Sequence, residues 1–221
     1  MKKIYIVGGN GFARECYDNL TTLRDYGKEI EFGGFFGHGG YGHTVDYKDY
    51  QPLYKGEVSE HEFKENEYCI IGAGYPEIRK KIYLDLKRQN AKFYNLITNY
   101  TYLTNTAVIG EANIIIGLSI LSVNTRLGDG NVLNGDVNIG HDAVIGDFNF
   151  FGPRSLILGN VKVGNDNTIG ANAILLPNCK VGNHNSVAPL SAVYKGCKNN
   201  CYMLGNPALK VGAVCEKGED T

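Results

Sequence analysis

The residues best suited to chemistry stand in the second half of the chain. Gly140-His141-Asp142 sets an acid directly after a histidine. Histidine is the side chain whose ordinary pKa suits proton transfer near neutrality. A carboxylate bonded to one imidazole nitrogen fixes the tautomer and supports the charge that develops. His141 is therefore the candidate general base and Asp142 its partner, although adjacent side chains can point apart. Eighteen positions further on stands Gly159. Its backbone N–H, with no side chain in the way, suits the oxyanion of a tetrahedral intermediate. A lone histidine is ordinarily just a solvated one; the frame around this one gives it weight.

A second candidate site opens the chain. Gly8-Gly9-Asn10-Gly11-Phe12-Ala13 follows a short apolar run and precedes a helical pattern. Its amides and the helix N-terminus suit a nucleotide or phosphate. Alone the signal is weak, because the full dinucleotide spacing is absent and no acid sits cleanly after the second strand. The stretch from Gly33 to His43, which includes Gly37 and His38, is rich in Gly and aromatic residues. It suits stacking on a base or sugar, and suits a plain surface loop equally well.

The elements that must position these groups fall in two halves. Residues 1–92 have an α/β pattern. Strands are expected at Lys3–Val7, Ile30–Phe36 and Tyr68–Gly72, and helices at Phe12–Leu23 and Pro76–Gln89. The first helix aligns Ala13, Cys16, Leu20 and Leu23. The second is amphipathic, with Ile78, Ile82, Leu84 and Leu86 among Lys and Arg. Tyr94–Ile97 reads as a last strand leading out. Alternation of this kind predicts a small, Rossmann-like parallel sheet.

After residue 106 a six-residue period takes over. Stepping by six from Ile109 gives Ile115, Leu121, Leu127, Leu133, Ile139, Ile145, Phe151, Ile157, Val163, Ile169, Leu175, Val181, Val187 and Val193. Every position is bulky and apolar, with no insertion or deletion. An α-helix cannot use this period, because its face would drift about 120° per repeat. A chain wound on a triangular prism can. Each hexad is then one face and one corner, three hexads make one coil, and the aliphatic side chain points inward. Gly recurs one residue after the aliphatic position, and Gly, Asn and Asp are expected at the corners, where positive φ is easiest. The period places Gly159 one coil above His141.

Composition narrows the function classes. The chain has 221 residues, with 22 basic and 23 acidic side chains. No basic block marks a nucleic-acid or anionic-membrane partner, and no apolar run approaches the roughly 20 residues of a membrane span. Met1–Gly9 is too short an apolar run for a signal peptide. A soluble, cytoplasmic protein is expected. Cys16, Cys69, Cys179, Cys197, Cys201 and Cys215 are then reduced thiols. Cys197 and Cys201 lack a second pair at zinc spacing, so no metal is expected.

The repeat over roughly 107–194 is similar to the hexapeptide signature of the left-handed β-helix. With both halves in view, the whole chain resembles bacterial nucleotide-sugar N-acetyltransferases of the sialic-acid O-acetyltransferase-like family. The matching features are Lys3–Ala13, Ile71-Gly72, Ile78-Arg79-Lys80-Lys81-Ile82, Asn95-Leu96-Ile97, Ile139-Gly140-His141-Asp142-Ala143-Val144-Ile145-Gly146-Asp147 and Gly205-Asn206-Pro207-Ala208.

That resemblance implies three regions: residues 1–105 as a nucleotide-sugar-binding α/β domain, 106–194 as an acetyl-CoA-binding β-helix, and 195–221 as a tail. It implies a homotrimer that acetylates a UDP-, dTDP- or GDP-linked 4-amino-4,6-dideoxyhexose for surface glycan synthesis. Asn10, Gly11 and Phe12 would touch the sugar nucleotide, with Gly8, Gly37, His38 and Gly72 beside them. Phe150, Gly159, Ala171, Ala188, Pro189, Asn206 and Pro207 would line the acetyl-CoA cleft between prisms. Phe12 stands where many members have His, Gly37-His38 where many have an acidic pair, Phe150 where some have a CoA-contacting His, and Asp142 where Glu is frequent. Two other readings stay open: an O-acetyltransferase acting on sialic acid or another glycan hydroxyl, and a non-catalytic β-helix that binds a sugar nucleotide.

Overall fold

The computed structural model describes residues 1–39 and 50–214, so Gly40–His43 of the glycine-aromatic stretch and Cys215 lie outside the described residues. The chain groups into two compact units, Met1–Asn99 with Glu111–Ile116, and Tyr100–Gly110 with Gly117–Thr221.

The first unit is built on a five-stranded parallel sheet. Its elements are β1 (Lys2–Val7), α1 (Gly11–Thr21), β2 (Ile30–Gly37), β3 (Tyr54–Glu57), β4 (Glu67–Ile71), α2 (Pro76–Arg88) and β5 (Lys92–Phe93). The order across the sheet is β3-β2-β1-β4-β5. β1 is central, and Ile4, Ile6 and Val7 are fully buried. In α1, Ala13, Cys16 and Leu20 are buried as the spacing predicts, and Leu23 is buried just beyond the helix, which ends at Thr21 rather than Leu23. In α2, Ile82 and Leu86 are buried together with Arg79 and Tyr83, while Leu84 is exposed. At about 100° per residue, Leu84 stands roughly 200° from both Ile82 and Leu86, so it cannot share their face.

Three features of the first unit differ from the sequence reading. β3 has no hydrophobic pattern to reveal it. The last sheet strand is Lys92–Phe93, and Leu96–Ile97 instead pairs with Ile114–Ile115. Arg79, one of the basic residues of the amphipathic helix, is buried and donates to the carbonyls of Ile71, Ala73 and Ala112. Burial lowers its pKa to about 10.

The second unit is a left-handed parallel β-helix. Two faces are complete six-stranded ladders of strands two residues long. The first face runs Tyr102–Leu103, Ile120–Leu121, Asn138–Ile139, Leu156–Ile157, Ile174–Leu175 and Ala192–Val193. The second runs Val108–Ile109, Arg126–Leu127, Val144–Ile145, Lys162–Val163, Lys180–Val181 and Gly196–Cys197. The third carries Val132–Asn134, Phe150–Phe151, Thr168–Ile169, Ser186–Val187 and Tyr202–Gly205, with Ala208–Gly212 antiparallel at its edge. Strands thus continue past residue 194, into the stretch expected as a tail. Of the period-six aliphatic residues all are buried except Ile109, which is half-buried.

Two polar ladders run up the coil. Inside it, Asn131, Asn149, Asn167 and Asn185 are buried and stacked, the Nδ2 of each of the upper three donating to the Oδ1 below at 2.9–3.0 Å. At the corner between the second and third faces, the Asp129 amide donates to Asp147 Oδ1, Asp147 to Asn165 and Asn165 to Asn183, each at 2.8 Å.

The glycine column has a different cause from the one expected. Gly110, Gly128, Gly140, Gly146, Gly152, Gly164, Gly170 and Gly182 do not have positive φ. A Cβ on Gly128 would lie 2.8 Å from the Gly146 carbonyl oxygen of the next coil, and one on Gly146 would lie 2.7 Å from that of Gly164. These glycines let the coils stack. Positive φ falls two residues later, at Asn124, Asp136, Asp142, Phe148, Arg154, Asn160, Asp166 and Asn172 among others. Asn and Asp predominate there because they tolerate the left-handed region best.

Candidate active site

His141 and Asp142 turn the corner between the first and second faces of the coil. Asp142 adopts φ +58°, and this left-handed turn brings the two adjacent side chains together. His141 Nδ1 lies 2.8 Å from Asp142 Oδ2. A carboxylate only accepts, so Nδ1 carries a proton, and in the neutral ring the lone pair is on Nε2. Asn124, one coil below, donates from Nδ2 to Asp142 Oδ1 at 3.0 Å. The Asn124 hydrogen bond, followed by that of His141, holds the Asp142 carboxyl below the usual range. The imidazole itself is exposed. Asn124 was not singled out in the sequence, although the period points to it, since it stands eighteen residues before Asp142.

Gly159 stacks directly above His141. The Asn160 amide donates to the His141 carbonyl at 2.9 Å. A Cβ on Gly159 would lie 2.5 Å from His141 Nε2. At the corner between the second and third faces the equivalent amides donate to Asp and Asn side chains of the coil above. Above Gly159 that position is Pro177, which has no such acceptor. The Gly159 amide donates to no described residue. The basic nitrogen and an open amide therefore sit side by side.

Of the residues expected around acetyl-CoA, Gly159 stands beside His141 and the others lie elsewhere in the same chain. Ala171 and Pro189 occupy the corner between the third and first faces, where a Cβ on Gly170 would lie 2.5 Å from the Pro189 nitrogen. Ala188 adjoins Pro189 and is buried. Phe150 lies half-buried on the third face, between Val132 and Thr168. Asn206 and Pro207 form the exposed turn between Tyr202–Gly205 and Ala208–Gly212. Within one chain, therefore, His141 and the corner of Ala171 and Pro189 sit at opposite edges of the first face, with Phe150 and the Asn206-Pro207 turn on the third face.

In the first unit, Gly8, Gly37 and Gly72 meet at the carboxyl ends of the strands. The Gly8 amide donates to Phe36 O, the Gly72 amide to Val7 O, both at 2.8 Å. A Cβ on Gly8 would meet the Gly72 carbonyl at 2.8 Å, and one on Gly72 would meet the Ala13 Cβ at 2.7 Å. Both positions are too close-packed for a side chain. Asn10 caps α1, its Oδ1 accepting from the Ala13 amide at 3.4 Å. Gly11 opens that helix, with Phe12 half-buried beside it. His38 Nε2 lies 3.1 Å from Asp85 Oδ2.

Among the described residues no group of three or more His, Cys, Asp and Glu side chains is arranged to hold a metal ion. Cys16, Cys69, Cys179, Cys197 and Cys201 are free thiols. No described helix is long and apolar enough to cross a membrane.

Residues 160–195 match the model for the bacterial transferase hexapeptide (six repeats). Comparison by sequence with curated proteins gives no match. Comparison of structures gives many. PerB from Caulobacter crescentus, solved with CoA and GDP-perosamine, is 18% identical with TM-score 0.83, covering 96% of this chain and 98% of that one. The acetyltransferase domain of PglB from Neisseria gonorrhoeae, in complex with acetyl coenzyme A, is 19% identical with TM-score 0.79, covering 95% and 99%. WeeI from Acinetobacter baumannii is 20% identical with TM-score 0.79, covering 96% and 100%. At these identities the likeness is one of fold, and it extends over both units.

Proposed function

We propose that the chain is an acetyl-CoA-dependent N-acetyltransferase that acetylates the amine of a nucleotide-linked 4-amino-4,6-dideoxyhexose. The observation that carries this reading is the His141 Nε2 beside the open Gly159 amide, with Asp142 on Nδ1. Structural neighbours crystallised with CoA, acetyl coenzyme A or GDP-perosamine support it.

The chemistry follows from that geometry. The sugar amine attacks the thioester carbonyl carbon, forming the C–N bond. His141 Nε2 accepts the proton the nitrogen loses, and Asp142 balances the imidazolium. The oxyanion takes the Gly159 amide as donor. Collapse breaks the C–S bond, and the proton leaves with the CoA thiolate. Proton transfer of this kind contributes roughly 10²- to 10⁴-fold.

The reading includes a homotrimer with its sites between copies. The first face carries Tyr102, Ile120, Leu156, Ile174 and Ala192 in its outward positions, with one polar residue, Asn138. Tyr102 and Ile120 are exposed. The second face alternates exposed Val108 and Val144 with Arg126, Lys162 and Lys180, so its outward side carries charge throughout. Burying the apolar face against a second copy would bring the corner with Ala171 and Pro189 beside the neighbour's His141. A three-fold arrangement closes such a contact. The Gly8–Gly11 turn and the N-terminus of α1 suit the diphosphate of the sugar nucleotide. Residues 1–105 would then serve the nucleotide sugar, and 106–194 acetyl-CoA, in a cytoplasmic enzyme of glycan synthesis.

The test is incubation with acetyl-CoA and UDP-, dTDP- and GDP-4-amino-4,6-dideoxyhexoses, followed by mass spectrometry of the sugar and assay of released thiol. Acetylation of an amine is expected, giving an amide that survives mild alkali. An alkali-labile ester on a hydroxyl would contradict the N-acetyl reading, and thiol release with none of these acceptors would contradict the substrate class.

A further inference from the structure

We propose that Glu57 is the residue with which the first unit reads the nucleoside of its substrate, replacing an acid that the end of β2 lacks. The inference rests on the nucleotide-sugar reading given above.

Ligands of open parallel sheets bind beyond the carboxyl ends of the strands. An acid at such a strand end is placed to accept hydrogen bonds from a nucleoside. Here β2 ends in Gly37-His38, with no acid. The missing carboxylate comes from the neighbouring strand. β3 pairs in parallel with β2 and sets Glu57 opposite Gly37. A Cβ on Gly37 would lie 2.2 Å from Glu57 Oε1 and 2.8 Å from the Tyr54 hydroxyl oxygen. The Glu57 carboxylate thus fills the space of the absent residue-37 side chain.

It is held there from both sides. The Tyr54 hydroxyl donates to Oε1 at 3.2 Å, and the Gly39 amide donates to Oε2 at 2.9 Å. The carboxylate lines a cavity of about 660 Å³, together with His38, Ser59, Lys81 and Asp85. That volume suits a small-molecule ligand. Asp85, the other acid of the cavity, is engaged by His38 at 3.1 Å and by Arg88 at 2.5 Å. Glu57 is the acid that the edge strand β3 sets opposite Gly37.

A carboxylate accepts and does not donate. It repels phosphate and favours a ligand edge with paired donors. A nucleotide offers two: the ribose 2′,3′-diol, and the N1–H with N2–H₂ of guanine. The single N3–H of uracil or thymine lies between two carbonyl oxygens and suits a carboxylate poorly.

The test is calorimetric titration of the full-length protein with GDP, 2′-deoxy-GDP, UDP and dTDP. Three proteins are compared: wild type, Glu57→Gln, and the exchange Gly37→Asp with Glu57→Ala, which moves the acid from β3 to β2. Glu57→Gln is expected to weaken binding of the recognised nucleotides about tenfold, as for a lost charge-assisted hydrogen bond. The exchange is expected to restore most of that loss. Weakening of GDP and UDP, with 2′-deoxy-GDP unaffected, identifies the diol. Weakening of GDP and 2′-deoxy-GDP together, with UDP unaffected, identifies the guanine edge. Unchanged affinity in Glu57→Gln, equal weakening of all four ligands, or a folded exchange variant that stays weak overturns the inference and leaves the acetyltransfer reading standing. Failure of wild type to bind any of the four contradicts the nucleotide-sugar reading itself, and this inference with it.

Discussion

The missing side chain of Gly159 and the imidazole of His141 share one space: a Cβ on Gly159 would lie 2.5 Å from His141 Nε2. The glycine is therefore required by the histidine's position, apart from any role of its own amide. Gly159→Ala should displace the ring while leaving the coil intact, because Gly159 does not have positive φ. A shift of about 1 Å in a catalytic group costs about 10²-fold. We expect kcat to fall by about that factor, with the melting temperature unchanged. Near-wild-type kcat would show that the ring has another productive position.

Asp142→Asn tests the support of the base. Asn in this place can still meet Nδ1 but brings no charge to balance an imidazolium. The pair is exposed, so the effect should be smaller than in a buried triad, about 10- to 100-fold in kcat, with little change in KM for acetyl-CoA. A change confined to KM would make Asp142 a binding residue.

The asparagine ladder should be a main source of coil stability. Asn167 Nδ2 donates to Asn149 Oδ1 and to the Gly182 carbonyl, and its own Oδ1 accepts from both nitrogens of Asn185. Asn167→Leu strands several of these buried partners. The expected cost is about 2–4 kcal/mol, given roughly 1–3 kcal/mol for each buried group left unsatisfied. The shift of the urea midpoint, read by circular dichroism, measures it. An unchanged midpoint would mean that the ladder is readily replaced by packing.

The first unit carries a buried acid with a defined pH signature. Glu67 accepts from the Tyr5 hydroxyl at 3.2 Å and the Lys64 amide at 3.0 Å, with His61 Nε2 at 2.9 Å. Burial alone would raise its pKa, but the Lys64, His61 and Tyr5 contacts outweigh it and the net shift is downward. A lowered folded pKa stabilises the fold above the unfolded value of about 4.3 and is lost as pH falls toward the folded one. Wild type should therefore exceed Glu67→Gln in melting temperature at pH 7, and the gap should narrow below about pH 4.3. A gap constant with pH would deny Glu67 its charge-dependent role.

Much of the site was legible because the coil has a strict period. Position in the period fixes stacking, so Gly159 above His141 follows from the numbering alone, and Asn124 could have been found in the same way. What the period does not carry is backbone sign. It marked a glycine column without revealing that those glycines serve coil contact, while Asp142 and its column turn the chain. The contact of Asp142 with His141 depends on that turn. The first unit was legible only where apolar runs marked it. β3, Tyr-Lys-Gly-Glu, alternates too weakly to be read as a strand. Glu57, set by that strand against Gly37, was therefore invisible in the sequence, as was the burial of Arg79 inside a helix rich in surface charge.

The central claim is that His141 acts as the base of acetyl transfer. CoA release by His141→Ala, assayed with acetyl-CoA and the nucleotide amino sugar that wild type prefers, tests it most directly. The account predicts a fall in kcat of about 10²-fold or more, in line with the usual contribution of general base catalysis, with acetyl-CoA binding retained. Activity within about threefold of wild type, far short of that contribution, would contradict it.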